Sequence, residues 1–326
     1  MLRQLRTLVV RSGLVGALLL ISSAQPVHAG TLVTISTNMG EIKVDLFNEV
    51  TVETVNNFVN LITAGRYTNT IFHRVDDDFM IQGGGFDLNF NAIPNNGPIA
   101  LDYQIKNRRG TIAMARTNAP NSATSQFFIN TVDNSTTLGP RTGSDGYTVF
   151  GWVVAGMNVV DAIEAVPIYQ FATPFGELPL RNYTMGNEIL DSNKVIIQSI
   201  SIAQQHPSYQ NPIFAADTNN DGNLNSQDAL LIINDLLTVG AAHNASADYI
   251  TDTYKYFDAN GDGRVNSQDL LLVFNAILSQ NAAASLVAEP MASPMVVPEP
   301  ATWSMLLTAL AALGFVGWRR RSRRAG

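Results

Sequence analysis

The sequence predicts a mainly β protein, a closed antiparallel barrel, followed by a small α-helical module built from two repeats. Residues 31–203 break into short apolar bursts separated by turn residues, with only two helical patterns among them. Residues 217–228 and 258–269 are near-copies of one 12-residue Asp/Asn/Gly loop, and each runs on into a leucine-rich segment. Both ends pair arginines with an apolar run, the signature of segments that direct a chain rather than fold with it.

A chain of 326 residues with 46% apolar content can bury sizeable cores, and its length predicts about two domains. The absence of cysteine excludes a disulfide framework, a CxxC redox pair and any thiolate metal site. Any metal must therefore use oxygen or imidazole ligands. Eight arginines lie in the two ends, leaving 12 lysines and arginines against 27 acidic residues between 30 and 318, a charge of −15. So acidic a segment excludes nucleic acid as a partner.

At the N-terminus, Arg3, Arg6 and Arg11 precede an apolar run from Leu14 to Ile21 and then Val27-His28-Ala29, a small-residue cleavage pattern. This reads as a signal peptide over residues 1–29. Leu32 to Ser36 and Glu41 to Phe47 flank Asn38-Met39-Gly40 as a hairpin. Val52, Val55, Val59 and Ile62 share one helical face, with Thr51 as N-cap and Gly65 as stop. Further strands are expected at Ile71–Val75, Thr111–Ala115, Phe127–Thr131 and Tyr147–Val154, a second helix from Asn158 to Ala165, and a last strand from Val195 to Ala203. Gly83-Gly84-Gly85 reads as a turn, and His73 as a structural strand residue facing away from Arg74. Gln204 to Pro212, with two prolines among polar residues, reads as a linker between a domain at 30–205 and one at 206–280. On that reading the barrel melts independently of the second domain.

The first chemical constellation is Phe72-His73-Arg74-Val75 with Phe79-Met80-Ile81-Gln82-Gly83-Gly84. An arginine among strand aromatics needs a partner, either a ligand carbonyl or one of Asp76, Asp77 and Asp78. Gly110 to Arg116, Ser125 to Asn130 and Tyr147 to Gly151 come next along the chain. The order and spacing of these blocks resemble cyclophilin-type peptidyl-prolyl cis-trans isomerases over about 31–203. The resemblance implies an eight-stranded barrel with two capping helices, the site on its outer face, and action on X-Pro polypeptides without a cofactor. It implies that Arg74 is the catalytic cation, with Gln82 assisting it. Phe79, Met80, Phe128 and Leu138 would form the apolar pocket for the proline ring, and Ala115, Arg116 and Gln126 would bind the flanking peptide. Tyr147, also at the pocket, stands where eukaryotic members often have histidine, and Thr137 where an aromatic is frequent. Phe127, alternating to the other face from Phe128, is expected in the core. The competing reading is a scaffold protein whose barrel grips proline-containing peptides with little catalysis.

The second constellation is the repeat. Calcium takes about six to eight hard oxygens, which a 12-residue loop supplies around a glycine at its sixth position. The ligands would be Asp217, Asn219, Asp221, the Asn223 carbonyl and Asp228, with Asn225 through water, and in the second loop Asp258, Asn260, Asp262, the Arg264 carbonyl, Asp269 and, likewise, Asn266. Two ions are therefore expected. Aspartate rather than glutamate at position 12, and no entering helix before the first EF-hand-like loop, resemble type I dockerin modules over about 211–280. That resemblance implies a cohesin-type partner, recognised through Ser226-Gln227 and Ser267-Gln268. The expected apolar stripe runs through Leu230, Leu231, Ile233, Leu236 and Leu237, then Leu270, Leu271, Val273, Phe274, Ile277 and Leu278.

Residues 281–297 read as a flexible spacer. Val297-Pro298-Glu299-Pro300, an almost uncharged stretch from Ala301 to Trp318, and an arginine cluster then resemble the PEP-CTERM sorting signal over 298–326. Residues 301–318 are long enough to span a membrane. The resemblance implies processing by an exosortase, at least transient contact with the membrane, and export from a Gram-negative-type bacterium to the periplasm, cell surface or extracellular matrix.

Overall fold

The computed structural model describes residues 29–141, 143–171, 176–245 and 255–287. The expected signal peptide up to residue 28, most of the expected spacer, and the C-terminal segment with 301–318 lie outside the described residues. Among the described residues no helix is long and apolar enough to cross a membrane.

Eight strands close the barrel: β1 (Ala29–Thr37), β2 (Gly40–Leu46), β3 (Thr70–Asp76), β4 (Met80–Asp87), β5 (Thr111–Met114), β6 (Phe127–Asn130), β7 (Val149–Ala155) and β8 (Ile196–Pro207). Their order is β1-β8-β3-β4-β6-β5-β7-β2, returning to β1, and every pair is antiparallel. Closure leaves no free sheet edge. Two helices, α1 (Val52–Thr63) and α2 (Met157–Glu164), turn Val55, Phe58, Leu61, Val160 and Ile163 into the same core as Ile35, Ile42, Phe127 and Phe150. Thr51 precedes α1, but its side chain makes no capping bond.

Two local expectations are overturned in β3 and β4. Gly83-Gly84-Gly85 is strand, not turn. Gly84 takes φ +73°, and a Cβ there would sit 2.8 Å from the Phe127 ring, so only glycine lets the strand lie against that ring. A Cβ on Gly85 would similarly meet the Gln126 side chain at 2.7 Å. In β3 the register passes from Phe72 opposite Gly83 to Arg74 opposite Gln82, so His73 is the extra residue of a β-bulge. The bulge breaks the alternation, and His73 and Arg74 line one cavity instead of facing apart.

The expected linker is part of the fold. β8 runs on to Pro207, and Ser208, Tyr209 and Asn211 are buried. The Tyr209 hydroxyl donates to Glu49 at 2.6 Å, and Ser208 Oγ donates to the other oxygen of that carboxylate at 2.9 Å. His206 Nε2 meets Asp45 Oδ1 at 2.9 Å in a buried pair, while the hydroxyl of buried Tyr256 donates to Asp45 Oδ2 at 2.9 Å. Burial opposes the charged imidazole of His206, but the hydrogen bond and charge of Asp45 outweigh it and raise its pKa above the usual value. Gln210 Nε2 donates to the Ala259 carbonyl at 2.7 Å. The barrel and the repeat module thus share a buried polar junction, which the linker reading did not foresee.

In the module, α3 (Ser226–Thr238) and α4 (Ser267–Val287) pack around Leu224, Ile232, Leu236, Phe257, Val265, Leu270 and Val273. The expected stripe is corrected at four positions: Leu230, Leu237, Leu271 and Leu278 are each at least half exposed.

Candidate active site

Arg74, Gln82 and Phe128 are successive cross-strand partners on β3, β4 and β6. On one face of a sheet such neighbours stand about 5 Å apart, so register alone lines up a cation, an amide and an aromatic ring. Met80 and Phe128 belong to an apolar cluster with Leu138, distinct from the core that holds Phe127. Phe127 and Phe128 therefore divide between the two faces as alternation requires. Arg74, Phe79, Met80, Gln82, Ala115, Arg116, Phe128, Leu138 and Tyr147 line one cavity of about 310 Å³.

The pocket's loop is fixed by buried asparagines. Asn134 Nδ2 donates to the Phe79 carbonyl at 2.7 Å and to Asn130 Oδ1 at 2.9 Å, while the Leu138 amide donates to the Asn134 carbonyl at 2.8 Å. Both ends of the apolar wall hang on these bonds. Thr137, one residue away, is exposed. On the opposite wall the Arg116 guanidinium lies 4.6 Å from the centre of the Tyr147 ring, donating through Nε to the Gly146 carbonyl at 2.8 Å. Tyr147 in turn meets Phe128 edge-on at 5.7 Å.

Arg74 donates to Asp76 Oδ2 at 2.7 Å, so of the two partners open to it in the sequence the aspartate is taken. Its side chain remains 42% exposed on the cavity wall, and a guanidinium carries five N–H donors, more than the one bond to Asp76 uses. Gln126 departs from expectation. It is not among the side chains lining the cavity; it accepts from Gln82 Nε2 at 2.8 Å and also hydrogen-bonds His73. Gln126 therefore orients Gln82 from behind. His73 is buried, and desolvation lowers its pKa to about 4, so the imidazole is neutral at physiological pH.

Residues 32–185 match the family model for cyclophilin type peptidyl-prolyl cis-trans isomerase/CLD. A peptidyl-prolyl cis-trans isomerase of Acinetobacter baylyi is 47% identical over 141 residues, covering 43% of this chain and 74% of that protein. Peptidyl-prolyl cis-trans isomerase B of Escherichia coli is 49% identical over 139 residues, 41% of this chain and 85% of that one. The chain belongs to the cyclophilin-type peptidyl-prolyl cis-trans isomerases. Beyond the cyclophilin region, residues 215–278 match the dockerin type I domain and residues 296–321 the PEP-CTERM protein-sorting motif. Within the cyclophilin site, sequence reasoning missed Asn130, Asn134 and the contact of His73 with Gln126. A buried asparagine at a strand end, with another four residues later, was the available signal.

The two repeat loops of this cyclophilin have the backbone and the charge that a cation needs. Gly222 and Gly263, at the sixth positions, take φ +80° and +79°, the left-handed turn the loop requires. Asp217, Asp228, Asp258 and Asp269 are buried. The Gly222 and Asp221 amides donate to Asp217, and the Gly263 and Asp262 amides to Asp258. Asp228 and Asp269 take the Asn225 and Asn266 amides at 2.9 Å each, which ties the last ligand position to the start of each helix. Burial, reinforced by neighbouring carboxylates, raises the pKa values of Asp217 and Asp269 and lifts that of Asp258 to about 6. Such negative charge, held against both burial and repulsion, fits a bound cation. Among the described residues no three acidic or imidazole side chains are gathered as a metal cluster. Ser226, Gln227, Ser267 and Gln268 are all exposed at the helix starts.

Proposed function

We propose that this cyclophilin isomerises X-Pro bonds in exported or surface proteins, working while attached to a cohesin-type partner through its calcium-loaded module. The observation that carries the catalytic part is the convergence of Arg74 and Gln82 with an apolar pocket on one cavity. Rotation about the prolyl amide must overcome a resonance barrier of about 18–20 kcal/mol. No nucleophile is needed, only a surface that prefers the twisted state. The proline ring enters between Phe79, Met80, Phe128 and Leu138. Arg74, steadied by Asp76, donates to the prolyl nitrogen as its lone pair leaves conjugation, and to the preceding carbonyl. Gln82, oriented by Gln126, supports the same region, while Ala115, Arg116 and Tyr147 border the peptide.

For attachment, Asp217, Asn219, Asp221, Asn223, Asn225 and Asp228 hold one calcium ion, and Asp258, Asn260, Asp262, Arg264, Asn266 and Asp269 a second. Ser226 shares a helical face with exposed Leu230 and Leu237, and Ser267 with exposed Leu271 and Leu278. These matching faces support two equivalent docking surfaces. The signal peptide and sorting motif route the chain out of the cytoplasm, with an exosortase acting on the tail.

Exchange spectroscopy on an X-Pro peptide tests the reading with the full exported chain. Accelerated cis-trans exchange at substoichiometric protein supports it. Saturable peptide binding with no acceleration establishes the scaffold reading instead.

A further inference from the structure

Arg74 lines two cavities. Besides the proline pocket it borders a second one of about 260 Å³, whose other walls among the described residues are His73, Gln170, Gly176 and Glu177. The side chain assigned to the prolyl amide is therefore also a wall of the second cavity. We propose that this second cavity is a subsite for a basic side chain of the residues flanking the proline, selected by Glu177. The proposal rests on the active-site reading above and adds a substrate class to it.

The far wall is a built element. Ile168–Gln170 and Glu177–Pro179 pair as a hairpin, with Gln170 opposite Glu177. Leu178 and Leu180 are buried against Ile71 of β3, and the Tyr169 hydroxyl donates to the Tyr183 carbonyl at 2.7 Å. Glu177 is thus carried on a strand anchored by Leu178, beside the bulge at His73. Gln170 Nε2 reaches Glu177 Oε2 at 3.5 Å, and among the described residues no ion pair is formed by that carboxylate.

Charge decides the kind of guest. Among the described lining residues, Arg74 is already matched by Asp76 at 2.7 Å and His73 is held neutral by burial, so Glu177 is the charge left to be paired. An acidic guest meets an unmatched carboxylate, whereas a lysine or arginine reaches past the Arg74–Asp76 pair to a partner. The amide of Gln170 and the main chain at Gly176 supply polar surface for the rest of the side chain.

The test measures kcat/KM and Kd for Ala-Pro peptides carrying Lys, Glu or Leu at each of the two positions on either side of the core. The Ala-Pro peptide with alanine at all four flanking positions, here the all-alanine peptide, is the reference, and the full exported chain is compared with Glu177→Gln and Glu177→Lys. We expect Lys to be preferred over Glu by about fivefold at one position, the scale of a partly exposed ion pair. Glu177→Gln should level that ratio, and Glu177→Lys should invert it. A Lys/Glu ratio near one at every position in the wild type overturns the subsite. So does a ratio unchanged in Glu177→Gln, or a Leu preference that ignores residue 177. Failure of the wild type to turn over the all-alanine peptide is a separate result that removes the catalytic reading, and the Kd ratios then still decide the subsite.

Discussion

The hydroxyl of Tyr256 donates to Asp45 across 2.9 Å, joining positions 211 residues apart in sequence. Asp45 lies in barrel strand β2, whereas Tyr256 stands two residues before Asp258, the first ligand position of the second loop. Both are buried, and His206 completes the cluster from β8.

Calcium is therefore expected to stabilise the barrel as well as the module. Binding to the folded state alone contributes about 2.7 kcal/mol at a hundredfold excess over Kd. Scanning calorimetry of the full chain should show the barrel's transition rise with calcium, against the independent melting that the linker composition suggested. Tyr256→Phe removes one hydrogen bond to a buried carboxylate, costs about 1–3 kcal/mol, and should weaken that coupling. An unchanged barrel Tm with and without calcium would refute it.

Isothermal titration should find two calcium sites, with Asp217→Ala and Asp258→Ala each removing one. Each variant also strips the loop of an acceptor for two backbone amides, so loss of module helicity in circular dichroism is expected alongside. A wild type that binds a single ion would contradict the paired reading.

His73 gives the barrel a pH dependence. Its pKa lies at about 4 in the fold against 6.5 in the unfolded chain, so below pH 6.5 the unfolded state binds more protons. Its contribution is complete above pH 6.5 and falls as the pH drops toward 4, by up to about 3 kcal/mol. Denaturant titrations from pH 7 to pH 4.5 should show this slope, and His73→Gln should flatten it. Since the imidazole stays neutral, isomerisation should vary little between pH 6 and pH 8.

Thr137→Trp should close the open edge of the pocket beside Leu138. An added ring at that exposed position is expected to tighten proline-peptide binding by about 1 kcal/mol, roughly fivefold in Kd. An unaltered Kd in fluorescence titration would show that another side chain already covers the ring.

The candidate site was legible through the resemblance of its sequence blocks to cyclophilins, and strand register supplies the physical reason that those blocks meet. Arg74, Gln82 and Phe128 need only the register of three adjacent strands to meet, and Phe127 and Phe128 divide by alternation alone. Periodicity fails where the backbone departs from it. The bulge at His73 puts neighbouring side chains on the same side, and the glycine run at 83–85 is strand because rings and Gln126 press on it. The 204–212 segment reads as a linker because its prolines and amides look solvated. Its burial depends on partners as distant as Asp45, Glu49 and Ala259, which no local pattern encodes. The exposure of Leu230, Leu237, Leu271 and Leu278 was hidden for the opposite reason, since a leucine-rich helix looks apolar on every face.

The central claim is that Arg74 supplies the catalytic cation, and the rate of prolyl isomerisation by Arg74→Ala tests it most directly. The side chain is 42% exposed and bonded to Asp76, so its removal should leave the melting temperature of the barrel nearly unchanged. Loss of a preorganised donor at a developing charge typically costs about 10²–10³ in rate, and a fall on that scale in kcat/KM, with the fold intact, is the predicted result. A folded Arg74→Ala that isomerises X-Pro peptides at the wild-type rate would contradict the account.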